Sequence, residues 1–173
     1  MDETGISLIP NARKTWAKRG RTPILRHQFR WPKLSAIAGI TPTGKLYFRV
    51  HDGSVKEKQV IAFLKHLLRH TRKHLIILWD GGPSHRSKKT KAFLVERAGR
   101  VETHRLPAYA PELNPIELVF SHLKNQQLAN FAAHDKWELR RGLRKATVRI
   151  RNEPEKIRRI IAGSRLPCRA LLQ

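Results

Sequence analysis

Residues 75–88 read LIILWDGGPSHRSK. The apolar run from Leu75 to Trp79 enters Asp80 and two glycines with no polar alternation. A run this short, bounded by turn residues, predicts a strand buried on both faces inside a mixed or parallel sheet. Such a strand needs neighbours beside it and layers above and below, which restricts the chain to α/β architectures. Asp80 then stands at the carboxyl end of the strand, where open α/β sheets collect ligand chemistry. Turn chemistry offers a second reading, in which Asp80 only caps the bend into the next helix.

The remaining elements follow from periodicity and punctuation. MDETGISLIP predicts a first strand ending at Pro10, and residues 11–33, basic with Trp16 and Trp31, predict a loop holding one or two short strands. LSAIAGI and KLYFRV flank TPTG, the pattern of a hairpin. Ser54 and Glu57 have capping-box spacing ahead of Val60, Phe63, Leu64, Leu67 and Leu68, which repeat along one helical face. Residues 87–98 predict a basic helix closed by Gly99, and VETHRL at 101–106 a further strand. Asn114 reads as a helix cap and Pro115 as the first helical residue before the stripe Ile116, Val119, Phe120, Leu123. Leu139, Leu143, Ala146 and Ile150 mark a last long helix with Arg140, Arg141, Arg144 and Lys145 opposite. Pro154 ends it, leaving residues 153–173 as a basic C-terminal tail behind a domain at 1–152. The order implies an α/β sheet covered by helices on both faces, and 173 residues suffice for one such domain.

With 36 Lys and Arg against 13 Asp and Glu, the formal net charge is +23. That excess points to a polyanionic partner. No apolar stretch approaches the roughly 18 residues of a spanning helix, so an anionic membrane is set aside and nucleic acid is favoured over a merely solvated basic surface. The N-terminus lacks the pattern of a signal peptide. A single cysteine, Cys168, excludes a disulfide framework and a cysteine-ligated zinc site, and fits a reducing, cytoplasmic compartment.

Where acids are this scarce, three occupy positions that chemistry could use: Asp2 in the first strand, Asp80 after the buried strand, and Glu117 in the first turn of a helix. Phosphodiester cleavage at neutral pH favours two divalent metals about 4 Å apart. Mg²⁺ takes carboxylate oxygens and keeps several waters, so two or three carboxylates from separate elements suffice. Each residue also has a plain reading: Asp2 as a terminal residue, Asp80 as a turn, Glu117 as the third residue of a cap.

Four segments carry a family resemblance: DETGISLIPNARKTWAKRGRTPILRH, WPKLSAIAGITPTGKLYF, LIILWDGGPSHRSK and RLPAYAPELNPIELVFSHLK. In them the chain resembles the bacterial insertion-sequence transposases of the mariner superfamily, whose catalytic domain is the DDE superfamily endonuclease. The last segment is the most specific, since Tyr109, Pro111, Asn114, Pro115 and Glu117 fall in the family's order. The resemblance implies a ribonuclease H-like mixed sheet flanked by helices. It makes Asp2, Asp80 and Glu117 the catalytic and metal-binding carboxylates for two Mg²⁺ or Mn²⁺ ions, Asp2 bridging both and the others holding one each. By the family's mechanism, water attacks a phosphodiester at each transposon end, and the freed 3′ hydroxyl attacks target DNA. The implied partners are transposon-end and target DNA, a second copy of the chain on that DNA, and an upstream-encoded DNA-binding part, with the nucleoid as the place of action. Gly81 and Gly82 would let the turn pass close to metal or phosphate, and His85 either orients the site or lies on the surface.

Two departures accompany the resemblance. Phe120 stands where relatives often have Trp, a tolerable apolar exchange. Only Met1 precedes Asp2, where relatives have several apolar strand residues. The first strand is therefore expected to be truncated, at a cost of several kcal/mol against a typical net stability of about 5–15 kcal/mol. On that expectation the chain is the downstream part of a split or decayed transposase, and the alternative to a working enzyme is a remnant that only binds DNA through its basic surface. Both versions predict the same salt response. With about 8 phosphates neutralised, affinity for duplex DNA should fall roughly 10⁴-fold to 10⁵-fold between 50 and 200 mM salt. A filter-binding titration checks this, and a slope near zero would remove the polyanion reading.

Overall fold

A hairpin organises one half of the molecule. A computed structural model of the chain describes residues 1–27, 33–107 and 110–166. In it β2 (Lys33–Ile40) and β3 (Leu46–Asp52) pair antiparallel, from Leu34 opposite Asp52 to Ile40 opposite Leu46. The turn between them closes where the Gly44 amide donates to the Thr41 carbonyl at 2.9 Å. Gly44 has φ +84°, and a Cβ there would stand 2.5 Å from the Pro154 carbonyl oxygen. On its other side β2 pairs antiparallel with β1 (Asp2–Ser7), with Asp2 opposite Ala38 and Ser7 opposite Lys33.

A helix, α1 (Glu57–His70), leads to β4 (Leu75–Trp79); α2 (Lys88–Val95) then crosses over to β5 (Val101–Arg105), which pairs parallel with β4. The expected mixed sheet is thus two ladders, a three-stranded antiparallel sheet and a two-stranded parallel one. Between them the Met1 amine donates to the Leu78 carbonyl at 2.8 Å. Its burial pushes the amine pKa down to about 6. The chain continues through a 3₁₀ turn (Pro111–Leu113), α3 (Pro115–His122), a π-helical turn (Leu123–Gln127), α4 (Lys136–Arg151) and α5 (Pro154–Gly163).

Two apolar cores lie on opposite faces of the antiparallel sheet. Ile6, Leu34, Ala36 and Ala38 meet α3, α4 and α5, while Ile37 faces Val60, Phe63 and Leu64 of α1 together with Ile77, Trp79 and Phe93. Alternation along β2 produces this division, because successive side chains point to opposite faces. The strand buried on both sides is consequently β2, whose Ala36, Ile37 and Ala38 are 0% exposed. β4 departs from expectation: it turns Ile77 and Trp79 inward and leaves Ile76 56% exposed. Its apolar run could not reveal whether a second layer covers the far face.

Other boundaries shift for local reasons. Helix α1 begins at Glu57, with Lys56 rather than Ser54 as its cap residue, and Gln59 Oε1 accepts from the Lys56 amide at 3.1 Å. Residues 11–27 hold no strand; Asn11 makes only an isolated bridge to Ala129. Ser87 caps α2, accepting from the Thr90 amide at 3.2 Å, and the helix ends at Val95, short of Gly99. Trp31, Tyr109 and Cys168 lie outside the described residues.

Pro154 opens a helix instead of a tail. Proline suits a first helical turn, whose amide would have no partner in the helix. Ile157 and Ile161 of α5 are buried in the same core as α3 and α4. No helix among the described residues is long and apolar enough to cross a membrane. Ile157→Ala should destabilise the protein by about 2–5 kcal/mol in urea unfolding, the usual cost of a cavity at a closed core site. A change near zero would return residues 153–163 to the status of a tail.

Candidate metal centre

Three carboxylates reach the same region from three elements. Asp2 is the first residue of β1 and only 9% exposed. Its Oδ1 accepts from the Glu3 amide at 2.7 Å, and its Oδ2 accepts from Asn114 Nδ2 at 2.8 Å. Burial pushes the Asp2 pKa up; the two hydrogen bonds work against that, and the nearby charges of Asp80 and Glu3 add to it. A desolvated carboxylate beside further carboxylates carries an unmet demand for positive charge.

Asp80 follows β4 directly, so the strand end places it, and its Oδ1 accepts from the Gly82 amide at 2.9 Å. Gly81 is what allows the bend: at φ +75° a Cβ would come within 2.8 Å of Arg105 Cδ and Nε. Glu117 occupies the third position of α3, exposed, with Oε1 3.5 Å from the same Asn114 Nδ2 that serves Asp2. Asn114 therefore bridges Asp2 and Glu117, and it does not cap the helix with its side chain.

His85 is buried, at 3% exposed, which decides against a surface role. Its ring stacks on Trp79 with centroids 4.3 Å apart and planes at 7°. Nε2 lies 2.8 Å from Glu3 Oε1, and Nδ1 lies 2.9 Å from Asp80 Oδ1. The Asp80 contact is electrostatic in character, since Nδ1 lacks the angle of a directed hydrogen bond. Burial acts to lower the His85 pKa, but the hydrogen bond and charge of Glu3, followed by the charge of Asp80, raise it on balance. The loop carrying His85 is held by Thr90, whose Oγ1 donates to the Ser84 carbonyl at 2.8 Å. Farther along β1, Lys124 Nζ donates to Thr4 Oγ1 at 2.6 Å, and burial lowers the lysine pKa.

In a chain with 36 Lys and Arg, none among the described residues forms an ion pair with Asp2, Asp80 or Glu117. As they stand, the carboxylates are not gathered closely enough for three to share one ion: no group of three or more His, Cys, Asp or Glu side chains among the described residues could hold a metal. Mg²⁺ is nevertheless held by one or two carboxylates together with waters and substrate phosphates, so open, oxygen-only donors without Lys or Arg partners fit such a cation. Sequence reasoning singled out Asp2, Asp80 and Glu117, did not consider Glu3 or Lys124, and read Asn114 as a helix cap within the family-like segment. Strand alternation, which puts Thr4 on the Asp2 face, was the available signal for the Lys124 contact.

The family profile described as DDE superfamily endonuclease matches residues 1–140. No curated protein matches the chain by sequence. Among solved structures, the mariner Mos1 paired end complex with Mg superposes with a TM-score of 0.63 at 19% identity, covering 94% of this chain and 54% of that one. The Mos1 transposase paired-end complex with left transposon end gives 0.62 at 19%, covering 95% and 54%. The catalytic domain of Mos1 mariner transposase gives 0.53 at 16%, covering 94% and 81%. The likeness is one of fold, the ribonuclease H-like one, and the chain spans about half the length of the transposase chains in the two complexes.

The His85 contacts predict a pH-dependent stability. A histidine pKa above its ordinary value of about 6.5 means that the folded state favours the charged ring. That contribution is complete below the ordinary value and declines as pH rises through the raised one. His85→Asn should therefore cost about 1–3 kcal/mol near pH 6 in metal-free urea unfolding, with the gap to wild type narrowing by pH 9. A gap that stays constant across that range would show that packing on Trp79 alone matters.

Proposed function

Because the chain belongs to the DDE superfamily endonucleases, we propose that it is the catalytic domain of a DNA transposase, cleaving phosphodiester bonds at transposon ends and joining the freed ends to target DNA. The observation that supports the reading is that Asp2 and Glu117 share the Asn114 amide and Asp80 lies near enough to act on the Asp2 charge, with no Lys or Arg partner for any of the three among the described residues. Asp2, Asp80 and Glu117 would hold two divalent cations, Mg²⁺ or Mn²⁺. Such ions activate an attacking water or hydroxyl and stabilise the leaving oxygen of a phosphodiester.

This chain's own residues prepare that chemistry. The β1 and β4 ends present Asp2 and Asp80 side by side, and α3 brings Glu117 to the same place. His85 keeps Asp80 and Glu3 from drifting apart. The Gly81–Gly82 bend keeps side-chain bulk away from the approach to Asp80. No residue here needs to form a covalent bond to DNA.

DNA is the partner that the charge fits. Besides the overall +23, a cleft between α1 and α2 is lined by Lys65, Arg69, Arg97 and Arg100 with no carboxylate. These cations suit contacts to phosphate backbone, which position a duplex without reading its sequence. Handling two ends at once calls for a pair of copies on the DNA, and the nucleoid is the place of action.

The test is nicking of supercoiled plasmid by the folded chain with Mg²⁺ or Mn²⁺. Asp80→Asn and Glu117→Gln should each slow nicking at least a hundredfold, about 2.7 kcal/mol of transition-state stabilisation, while circular dichroism and DNA affinity are kept. A folded wild type that binds DNA and never nicks it would leave a DNA-binding remnant as the description.

A further inference from the structure

Asn114 precedes α3 where an asparagine ordinarily caps the first turn. Here the side chain makes no cap hydrogen bond. It is 5% exposed, and its Nδ2 points to Asp2 Oδ2 at 2.8 Å and to Glu117 Oε1 at 3.5 Å. Its backbone carbonyl meanwhile accepts from the Glu117 amide at 3.0 Å, so one residue holds Glu117 by main chain and side chain together.

The choice of amide has a physical reason. Carboxylates drawn to one point carry like charges and repel unless a donor stands between them. An NH₂ group supplies two donors on one nitrogen and can satisfy an oxygen of each carboxylate. It adds no net charge, so it leaves the pair's demand for a cation in place, which a lysine or arginine would answer permanently. An aspartate in its place would add a third negative charge and offer no donor. Giving up the cap is unfavourable for α3, which makes the carboxylate contacts the feature that the position maintains.

We propose that Asn114 is a positioning residue that holds Asp2 and Glu117 together before a divalent cation arrives. The inference rests on the metal-centre reading above and goes beyond it by assigning the order of the site to a residue that is not itself a ligand.

Serine separates this role from capping, because it caps a helix about as well as asparagine and is too short to bridge the two carboxylates. Mn²⁺ binding to the full chain, without DNA, is measured by titration calorimetry for wild type, Asn114→Ala and Asn114→Ser, with thermal melts alongside. Loss of outer-shell support typically weakens metal binding 10-fold to 100-fold. Both variants should show a loss of that size, and Asn114→Ser should recover melting temperature relative to Asn114→Ala without recovering affinity. Asn114→Ser binding Mn²⁺ as tightly as wild type would overturn the proposal, as would an unchanged affinity in Asn114→Ala. Should Asn114→Ala fail to fold, the serine variant decides alone. A wild type that binds no Mn²⁺ overturns the proposal together with the metal centre. A wild type that binds Mn²⁺ but does not nick DNA removes only the enzymatic reading and leaves the Asn114 result intact.

Discussion

Asp2 is a carboxylate held almost out of water at the edge of the sheet, and the neighbourhood is arranged around that cost. An isolated buried carboxylate would protonate rather than stay charged. Part of the relief comes from the Glu3 amide and from Asn114. The remaining demand is left open, because Asp80 and Glu3 press on the same group and His85, which meets both of those acids, does not pair with Asp2 itself. A site that kept a lysine there would be more stable and less able to take a cation.

Both cores serve this arrangement. The core under α3, α4 and α5 anchors the helix that presents Glu117, through Ile116, Val119 and Phe120. The core under α1 and α2 fixes β4 and the ring of Trp79, on which His85 lies. Stacking and the contact to Glu3 then place His85 against Asp80. The elements that carry the candidate carboxylates are thus set by apolar packing, and the polar contacts adjust them only locally. Close-packed interiors hold their shape in this way because small displacements already lose contacts.

Charge divides the molecule by task. Elsewhere acids are answered by bases, as where Arg140 meets Asp52 at 3.0 Å and Lys89 meets Glu57 at 3.4 Å. Exposed pairs of this kind contribute little stability. Their contrast with the centre, where no Lys or Arg among the described residues pairs with Asp2, Asp80 or Glu117, is more informative than their energy. A basic exterior around a small acidic centre concentrates a polyanion near the site without neutralising the groups that would act on it.

Much of the chain could be read without coordinates, because local rules suffice for local elements. Alternation marked β1 and two β-rich runs around TPTG marked the β2–β3 hairpin, while the spacing of Val60, Phe63, Leu64 and Leu67 and of Leu139, Leu143, Ala146 and Ile150 marked α1 and α4. Asp80 at a strand end and Glu117 in a first helical turn were equally visible, as was the excess of positive charge. Burial on both faces belonged to β2 and not to β4, since coverage depends on which strand lies in the middle of its sheet. α5 was hidden behind Pro154, a residue that stops one helix and starts the next. Asn114 and His85 were mistaken or left open because their partners, Asp2 for the one and Glu3 for the other, lie far away along the chain. By itself, then, the sequence determined most of the elements, the positions of the candidate carboxylates and the excess of positive charge, all of which depend on composition and on neighbours in the chain. Only the tertiary structure decided which strand is central and which uncharged side chain holds the carboxylates together, because those are contacts between distant residues that no local period encodes.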